Sequence, residues 1–308
     1  ANLTGAVATV DVNKTLDSRP IADIGRGLQG AVAGVNITIP TGEVGSDPLI
    51  KIRGQVGSIS GNNTPLILLD NVEIPSIQMV NPNDVQSISV LKDAASSSIY
   101  GSKAAFGVIL ITTKSGAQSD KFEISYSNNF SWQDPAKKIE IGGIEALQYT
   151  LDAQTNRREP MPAGGFWRIS PESLEKAIEW QNLYGGKVKW NDPVVYGRDW
   201  FYDGKDKYGY RLYDGAKAMI KNWTPTMTHN LSVNGKSGKT SYNIGLGYLD
   251  QSGMSKTAKK DDFKRYNASV SVTSEINKYI TVRASSIYSD RNKRYPGIGN
   301  TTADPWLY

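Results

Sequence analysis

Lys121-Phe-Glu-Ile-Ser-Tyr-Ser-Asn-Asn-Phe-Ser-Trp-Gln133 places Phe122, Ile124, Tyr126, Phe130 and Trp132 at even positions, with Asn128 the exception. Its odd positions are Lys121, Glu123, Ser125, Ser127, Asn129, Ser131 and Gln133. A period of two belongs to a strand with one apolar and one polar face. The pattern returns in 226–235, where Met227, Leu231 and Val233 oppose Thr226, Thr228, Asn230, Ser232 and Asn234. In 239–250 Tyr242, Ile244, Leu246 and Tyr248 oppose Ser241, Asn243, Gly245 and Gly247. Tyr266, Ala268, Val270 and Val272, then Ile280, Val282, Ala284 and Tyr288, complete the set.

Soluble sandwiches alternate too, so other features must separate the cases. These segments run to about ten residues or more, longer than common strands and long enough to cross a bilayer. Their polar face is Ser, Thr, Asn and Gly, with only Lys121, Glu123, Lys239, Arg265 and Arg283 charged, as a wet lumen allows. Trp132, Tyr242, Tyr248, Tyr266 and Tyr288 sit near strand ends, where interfacial aromatic girdles belong. Short joins at Lys236–Gly238 and Glu275–Lys278 alternate with long ones at Pro135–Pro225 and Gln251–Asp262, matching periplasmic turns and extracellular loops. Five strands cannot close a barrel, and hydrocarbon does not tolerate open edges. The expected architecture is therefore mainly β, an incomplete transmembrane barrel to be finished by further sequence, with completion by another copy of the chain as the alternative.

Residues 1–117 read differently, as a small mixed α/β unit. A helix is expected over Ala22–Val32, and buried strands at Leu49–Arg53, Leu66–Leu69, Ile88–Lys92 and Val108–Lys114. Asp93 suits the cap of a short helix closed by a left-handed Gly101. The division is 1–117 and 118–308, with a long external loop over about 135–225 that carries a helix at Pro171–Tyr184 capped by Ser170.

Several chemistries are excluded or disfavoured. The chain has no Cys, so disulfides, thiolate metal sites and a cysteine nucleophile are absent. Its one histidine, His229, falls in the apolar register and cannot assemble a triad or a zinc site. The net charge of +5 comes from scattered cations beside acids, which argues against nucleic acid. Gly25-Arg-Gly-Leu-Gln-Gly30 fits a dinucleotide fingerprint but follows no strand of a βαβ unit. No catalytic residue, cofactor or metal is expected.

An ordered series of motifs carries a resemblance. Leu28-Gln-Gly-Ala-Val-Ala-Gly-Val-Asn36, Ile52-Arg-Gly54, Pro65-Leu-Ile-Leu-Leu-Asp70, Asn81-Pro-Asn-Asp-Val85 and Ser89-Val-Leu-Lys-Asp-Ala-Ala95 are followed by Ile99-Tyr-Gly-Ser-Lys-Ala-Ala105 and Gly107-Val-Ile-Leu-Ile-Thr-Thr-Lys-Ser-Gly116. Together they resemble the plug domain of SusC/RagA-type TonB-linked outer-membrane transporters of Bacteroidetes. Thr228-His-Asn-Leu-Ser-Val-Asn-Gly235, Gly247-Tyr-Leu-Asp-Gln-Ser-Gly253 and Phe263-Lys-Arg-Tyr266 are similar to the early strands of that family's barrel. Asp70-Asn71 stands where the family usually has Asp-Gly, and Phe106 where it usually has Asn.

The resemblance implies import across the cell outer membrane, with TonB pulling on a segment upstream of this chain to displace the plug. The expected solute is an oligosaccharide, with a peptide as the alternative, and the expected partner is a SusD-like surface lipoprotein. A signalling receptor and a soluble carbohydrate-binding β-protein are the competing classes. By analogy with related plugs, Arg53 and Lys92 are the expected plug–barrel locks. Ser58, Ser60, Asn62, Asn63 and Gln78 are candidate solute contacts because hydroxyls and amides suit polar cargo. Trp190, Tyr196, Trp200 and Tyr202, interleaved with carboxylates, are candidates for contacting the partner or stacking on sugar rings.

Overall fold

The computed structural model describes residues 7–11, 24–39, 43–53, 64–117, 120, 122–135, 142–156, 170–189, 191–202, 204 and 207–295. The chain divides into two compact units, one of 1–134, 222–254 and 258–308, the other of 135–221 and 255–257. The fold is mainly β, as the alternation requires.

The first unit contains the mixed α/β plug. Its sheet runs in the order β1 (Val7–Asp11), β6 (Val85–Leu91), β7 (Val108–Thr113), β4 (Leu66–Leu69) and β5 (Val72–Glu73). Only the β4–β7 pair is parallel. A separate hairpin of β2 (Val35–Thr38) and β3 (Leu49–Ile52) packs on one face with helix α1 (Ile24–Leu28). Ile24, Leu28, Ile37, Ile50 and Ile52 join Ile88, Val90, Ile109 and Ile111 there in one apolar cluster. The opposite face buries Leu66, Leu68, Leu91, Ala104 and Val108, with Tyr100 packed against them. Both faces are covered, so these strands read as continuous apolar runs rather than as alternation.

Helix α1 is shorter than the expected Ala22–Val32. Gly25 and Gly27 weaken it from within, and Gly30 turns the chain at φ 76° just beyond it. Asp93 does cap the short helix α2 (Ala94–Ser97), its Oδ1 accepting from the Ser96 amide at 2.8 Å. Gly101 has the expected positive φ of 69°, but with ψ −156° it kinks a 3-10 stretch instead of closing an α-helix. Strands β1, β2 and β5 were not foreseen; all are five residues or fewer.

The wall is a five-stranded antiparallel meander in the order β14–β13–β12–β11–β8. Its strands are β8 (Glu123–Gln133), β11 (Thr224–Ser237), β12 (Thr240–Ser252), β13 (Asp262–Asn277) and β14 (Ile280–Arg294). They reach 11 to 16 residues, longer than the alternating cores suggested, because pairing continues past the apolar stretch at both ends. The turn after β11 places Gly238 at φ 58°; after β13 the Asn277 side chain accepts from the Tyr279 and Ile280 amides.

Register puts the apolar sets in line: Ile124 beside Val233, Val233 beside Ile244, and Ile244 beside Val270. This face is bare. Phe122, Ile124, Tyr126, Phe130 and Trp132 are each at least 55% exposed. His229 lies on it, stacked between Tyr126 and Tyr248 at 6.2 Å from each, and Tyr248 continues to Tyr266 at 5.0 Å. The row of rings is an aromatic girdle in form. The opposite face, polar in sequence, meets the plug.

The second unit holds helices α3 (Ile144–Asn156), α4 (Pro171–Tyr184) and α5 (Gly215–Met219), and the small hairpin β9 (Trp200–Tyr202) with β10 (Lys207–Gly209). Helix α4 has the predicted limits, and Ser170 Oγ accepts from the Ser173 amide at 3.1 Å. Its inward face is Leu174, Ala177 and Trp180, whereas Ile178 is turned outward.

Candidate functional site

The site is the polar seam between plug and wall, both parts of the first unit. It is built from plug segments 43–47, 70 and 76–84, and from side chains on the inner face of β11 to β14. Two 3-10 turns shape the plug side. Ser76 caps Ile77–Met79 and Asn81 caps Pro82–Asp84, each accepting from the amide two residues on. These turns leave the carbonyls of Gln78 and Met79 facing the wall, where β13 meets them.

On β13 every second residue faces inward, and three in succession bond the plug. Arg265 Nη1 donates to the Gln78 carbonyl at 3.0 Å, Asn267 to that of Met79 at 2.7 Å, and Ser269 Oγ to Asp84 Oδ2 at 2.9 Å. Burial pushes the Asp84 carboxyl above its ordinary range, against the pull of the Ser269 hydroxyl. On β11 the Asn230 amide oxygen accepts from Asn81 at 2.9 Å, and on β12 Asn243 donates to the Lys114 carbonyl at 3.3 Å.

On β14 the contacts change character to charge. Lys293 Nζ lies 2.8 Å from both Glu43 Oε2 and Ser46 Oγ, and the Lys293 hydrogen bond holds the Glu43 carboxyl below its usual range. Arg291 Nη1 donates to Ser76 Oγ at 2.7 Å, and that hydroxyl donates in turn to Asp47. Arg283 comes within 4.0 Å of Asp70, whose carboxylate accepts from the Thr113 amide and hydroxyl.

Two wall glycines make the approach possible. A Cβ on Gly245 would stand 2.5 Å from Asp84 Oδ1, and one on Gly247 would stand 2.5 Å from Asn81 Nδ2. Both are closer than real Cβ atoms come to another group. Little hydrocarbon is involved: Val44, Leu249 and Phe263 form one small apolar contact. Two small polar recesses lie along the seam, one lined by Asn81, Asn230 and Asn267, the other by Asp84, Asn243 and Ser271. Among the described residues the buried hydroxyls of Thr226, Ser271 and Ser289 have no hydrogen-bond partner.

The expected site residues fall variously. Arg53 is exposed at the end of β3, in a left-handed conformation with φ 54°, its amide donating to the Gly34 carbonyl at 2.7 Å. Its charge contributes, after the Ser96 hydrogen bonds, to holding the Asp93 carboxyl below its usual value. Among the described residues neither Arg53 nor Lys92 forms an ion pair with a wall carboxylate. Gln78 is 3% exposed and its amide donates to the Ser46 carbonyl, so it belongs to the seam. Ser58, Ser60, Asn62, Asn63 and Trp190 lie outside the described residues.

In the second unit Tyr196, Trp200 and Phe201 form a ring cluster, with Tyr196 5.0 Å from Trp200 and 6.0 Å from Phe201. Tyr202 stands beside it, its hydroxyl donating to the Gly204 carbonyl. The hub of this unit is Asp199, which sequence reading grouped only with neighbouring acids. Its carboxylate accepts from the Trp180 indole at 2.9 Å, the Val195 amide at 2.9 Å and Arg198 at 2.7 Å, and Arg211 lies 3.4 Å away. Arg198 foremost holds that carboxyl far below the ordinary range.

A small α/β domain seated by polar contacts on the inner face of long, outwardly apolar strands defines the plug and first wall strands of an outer-membrane barrel. The comparisons agree. Residues 1–108 match the TonB-dependent Receptor Plug Domain. TonB-dependent receptor P26 of Formosa agariphila is 29% identical over 98% of this chain and 27% of its own length. TonB-dependent receptor SusC of Bacteroides thetaiotaomicron is 26% identical over 88% of this chain and 23% of its own. The RagAB peptide importer in its closed-closed state superposes with a TM-score of 0.68 at 29% identity, covering 96% of this chain and 31% of that one. The chain carries a TonB-dependent receptor plug domain and is homologous to SusC and to the TonB-dependent receptors of Bacteroidetes. It spans about a quarter of the length of the curated relatives it matches.

Proposed function

We propose that this chain is the plug and first wall strands of a TonB-dependent importer in the cell outer membrane, and that its solute is an oligosaccharide. One observation carries the import reading: the wall strands turn their apolar face outward, bare, and their polar face onto the plug. A soluble sandwich would bury that apolar face between sheets. No bond in the solute is broken; the plug moves, pulled by TonB through a segment upstream of residue 1. The division into a plug of 1–117 and a wall of 118–308 belongs to this reading.

The solute class is supported by the aromatic cluster of Trp200 with the exposed Tyr196 and Phe201, whose faces suit sugar rings, and by relatedness to SusC. The same unit is the proposed seat of a SusD-like surface lipoprotein. Arg53 and Lys92 are proposed to meet wall carboxylates on strands other than β8 and β11 to β14. Solute contacts are proposed for Ser58, Ser60, Asn62 and Asn63, whereas Gln78 is enclosed in the seam. Peptide import is the second reading, favoured by the likeness to RagAB, which is described as a peptide importer. Uptake of labelled oligosaccharides and labelled peptides by cells carrying or lacking the whole protein tests both. Glycan uptake lost on deletion supports the proposal, whereas peptide uptake alone transfers it to the second reading. A protein recovered in the soluble fraction would defeat both.

A further inference from the structure

The lock expected from sequence has a plug cation and a wall carboxylate. On β14 the polarity is the reverse. Arg283, Arg291 and Lys293 occupy inward positions of one strand, and the plug presents Asp70, Asp47 through Ser76, and Glu43 to them. We propose that these three cations are an electrostatic latch that holds the plug by its acidic edge, distinct from Arg53 and Lys92. The inference rests on the importer reading above and concerns how such a plug is retained.

Three observations carry it. First, the charges are segregated: β13 bonds the plug mostly through its carbonyls, whereas β14 reaches carboxylates or a hydroxyl bound to one. Second, the contacts are charge pairs rather than neutral hydrogen bonds: Lys293 Nζ lies 2.8 Å from Glu43 Oε2, and Arg283 comes within 4.0 Å of Asp70. In the wet bore of the importer reading such pairs can be resolvated when broken, unlike a dry pair whose rupture strands a charge. Third, the cations have long, flexible stems, which can follow a carboxylate as the plug begins to shift. Salt screens pairs of this kind, so retention depends on ionic strength.

The test uses the whole protein in planar bilayers, with leak conductance read as urea is raised. Lys293→Glu sets two carboxylates against each other. It is expected to shift the release equilibrium about fivefold toward the unplugged state and lower the urea midpoint. Glu43→Lys combined with Lys293→Glu restores the opposite charges and is expected to recover most of the midpoint, which a merely misfolded wall would not do. Arg294→Gln alters a pair with Asp262 on the outward face and is expected to leave the midpoint where it was. An unchanged midpoint in Lys293→Glu, or a double variant as leaky as the single one, overturns the latch. Failure of the unaltered protein to insert as a barrel would instead overturn the importer reading.

Discussion

Gly245 and Gly247 illustrate what a single residue can decide. Each sits on the inner face of β12 against a plug side chain, in space that a methyl group would need. Gly245→Val is expected to push Asp84 and Ser269 apart and to raise leak conductance, while outer-membrane insertion measured by heat-modifiable migration stays normal. Asp199 makes a second case. Its folded pKa is depressed, so its contribution is fully present above the unfolded value of about 3.9 and is lost as pH falls through the folded one. Hydrogen exchange in 195–211 is therefore expected to quicken in acid. Asp199→Asn removes the charge that the Trp180, Val195 and Arg198 donors converge on and is expected to cost about 1–3 kcal/mol locally, read as lost protection at neutral pH. The glycines were legible only as small polar-face residues, because what they touch lies more than 150 residues earlier. Asp199 looked like one acid among several, since its partners come from a helix and two turns that spacing alone does not bring together.

Among the elements, the wall strands were the most legible. A period of two survives any context in which one face is wet and the other greasy, so the registers of Ile124, Ile244 and Val270 could be read directly. Their ends could not, because pairing runs on into Thr224–Pro225 and Asp290–Arg294 where alternation stops. The plug strands were harder: covered on both faces, they lose alternation, and β1, β2 and β5 are too short for a pattern. Helix α4 was read with its cap, and its inward face is fixed by Trp180 reaching Asp199. Val270→Arg puts a charge in the middle of the outward apolar band. It is expected to cost about 2–4 kcal/mol of barrel stability, measurable as a lower unfolding midpoint in lipid vesicles.

At the scale of the molecule, a polar average composition is compatible with an apolar outer face. A wall that turns its grease outward and its amides inward needs few apolar residues, and the mean hydropathy of −0.41 is the result. The seam was invisible in sequence for the same reason contact order is costly: residues 43–84 meet residues 230–293 only after the whole meander has formed. Raising salt is expected to ease plug release, and the Glu43→Lys, Lys293→Glu exchange is expected to keep that sensitivity while Lys293→Gln loses part of it; conductance at two ionic strengths distinguishes them. The scarcity of hydrocarbon at the seam has a thermal corollary. Wetting of apolar surface raises heat capacity and wetting of amides lowers it, so parting these two faces changes it little. The enthalpy of opening is then nearly constant, and a van't Hoff plot for opening runs close to straight from cold to warm.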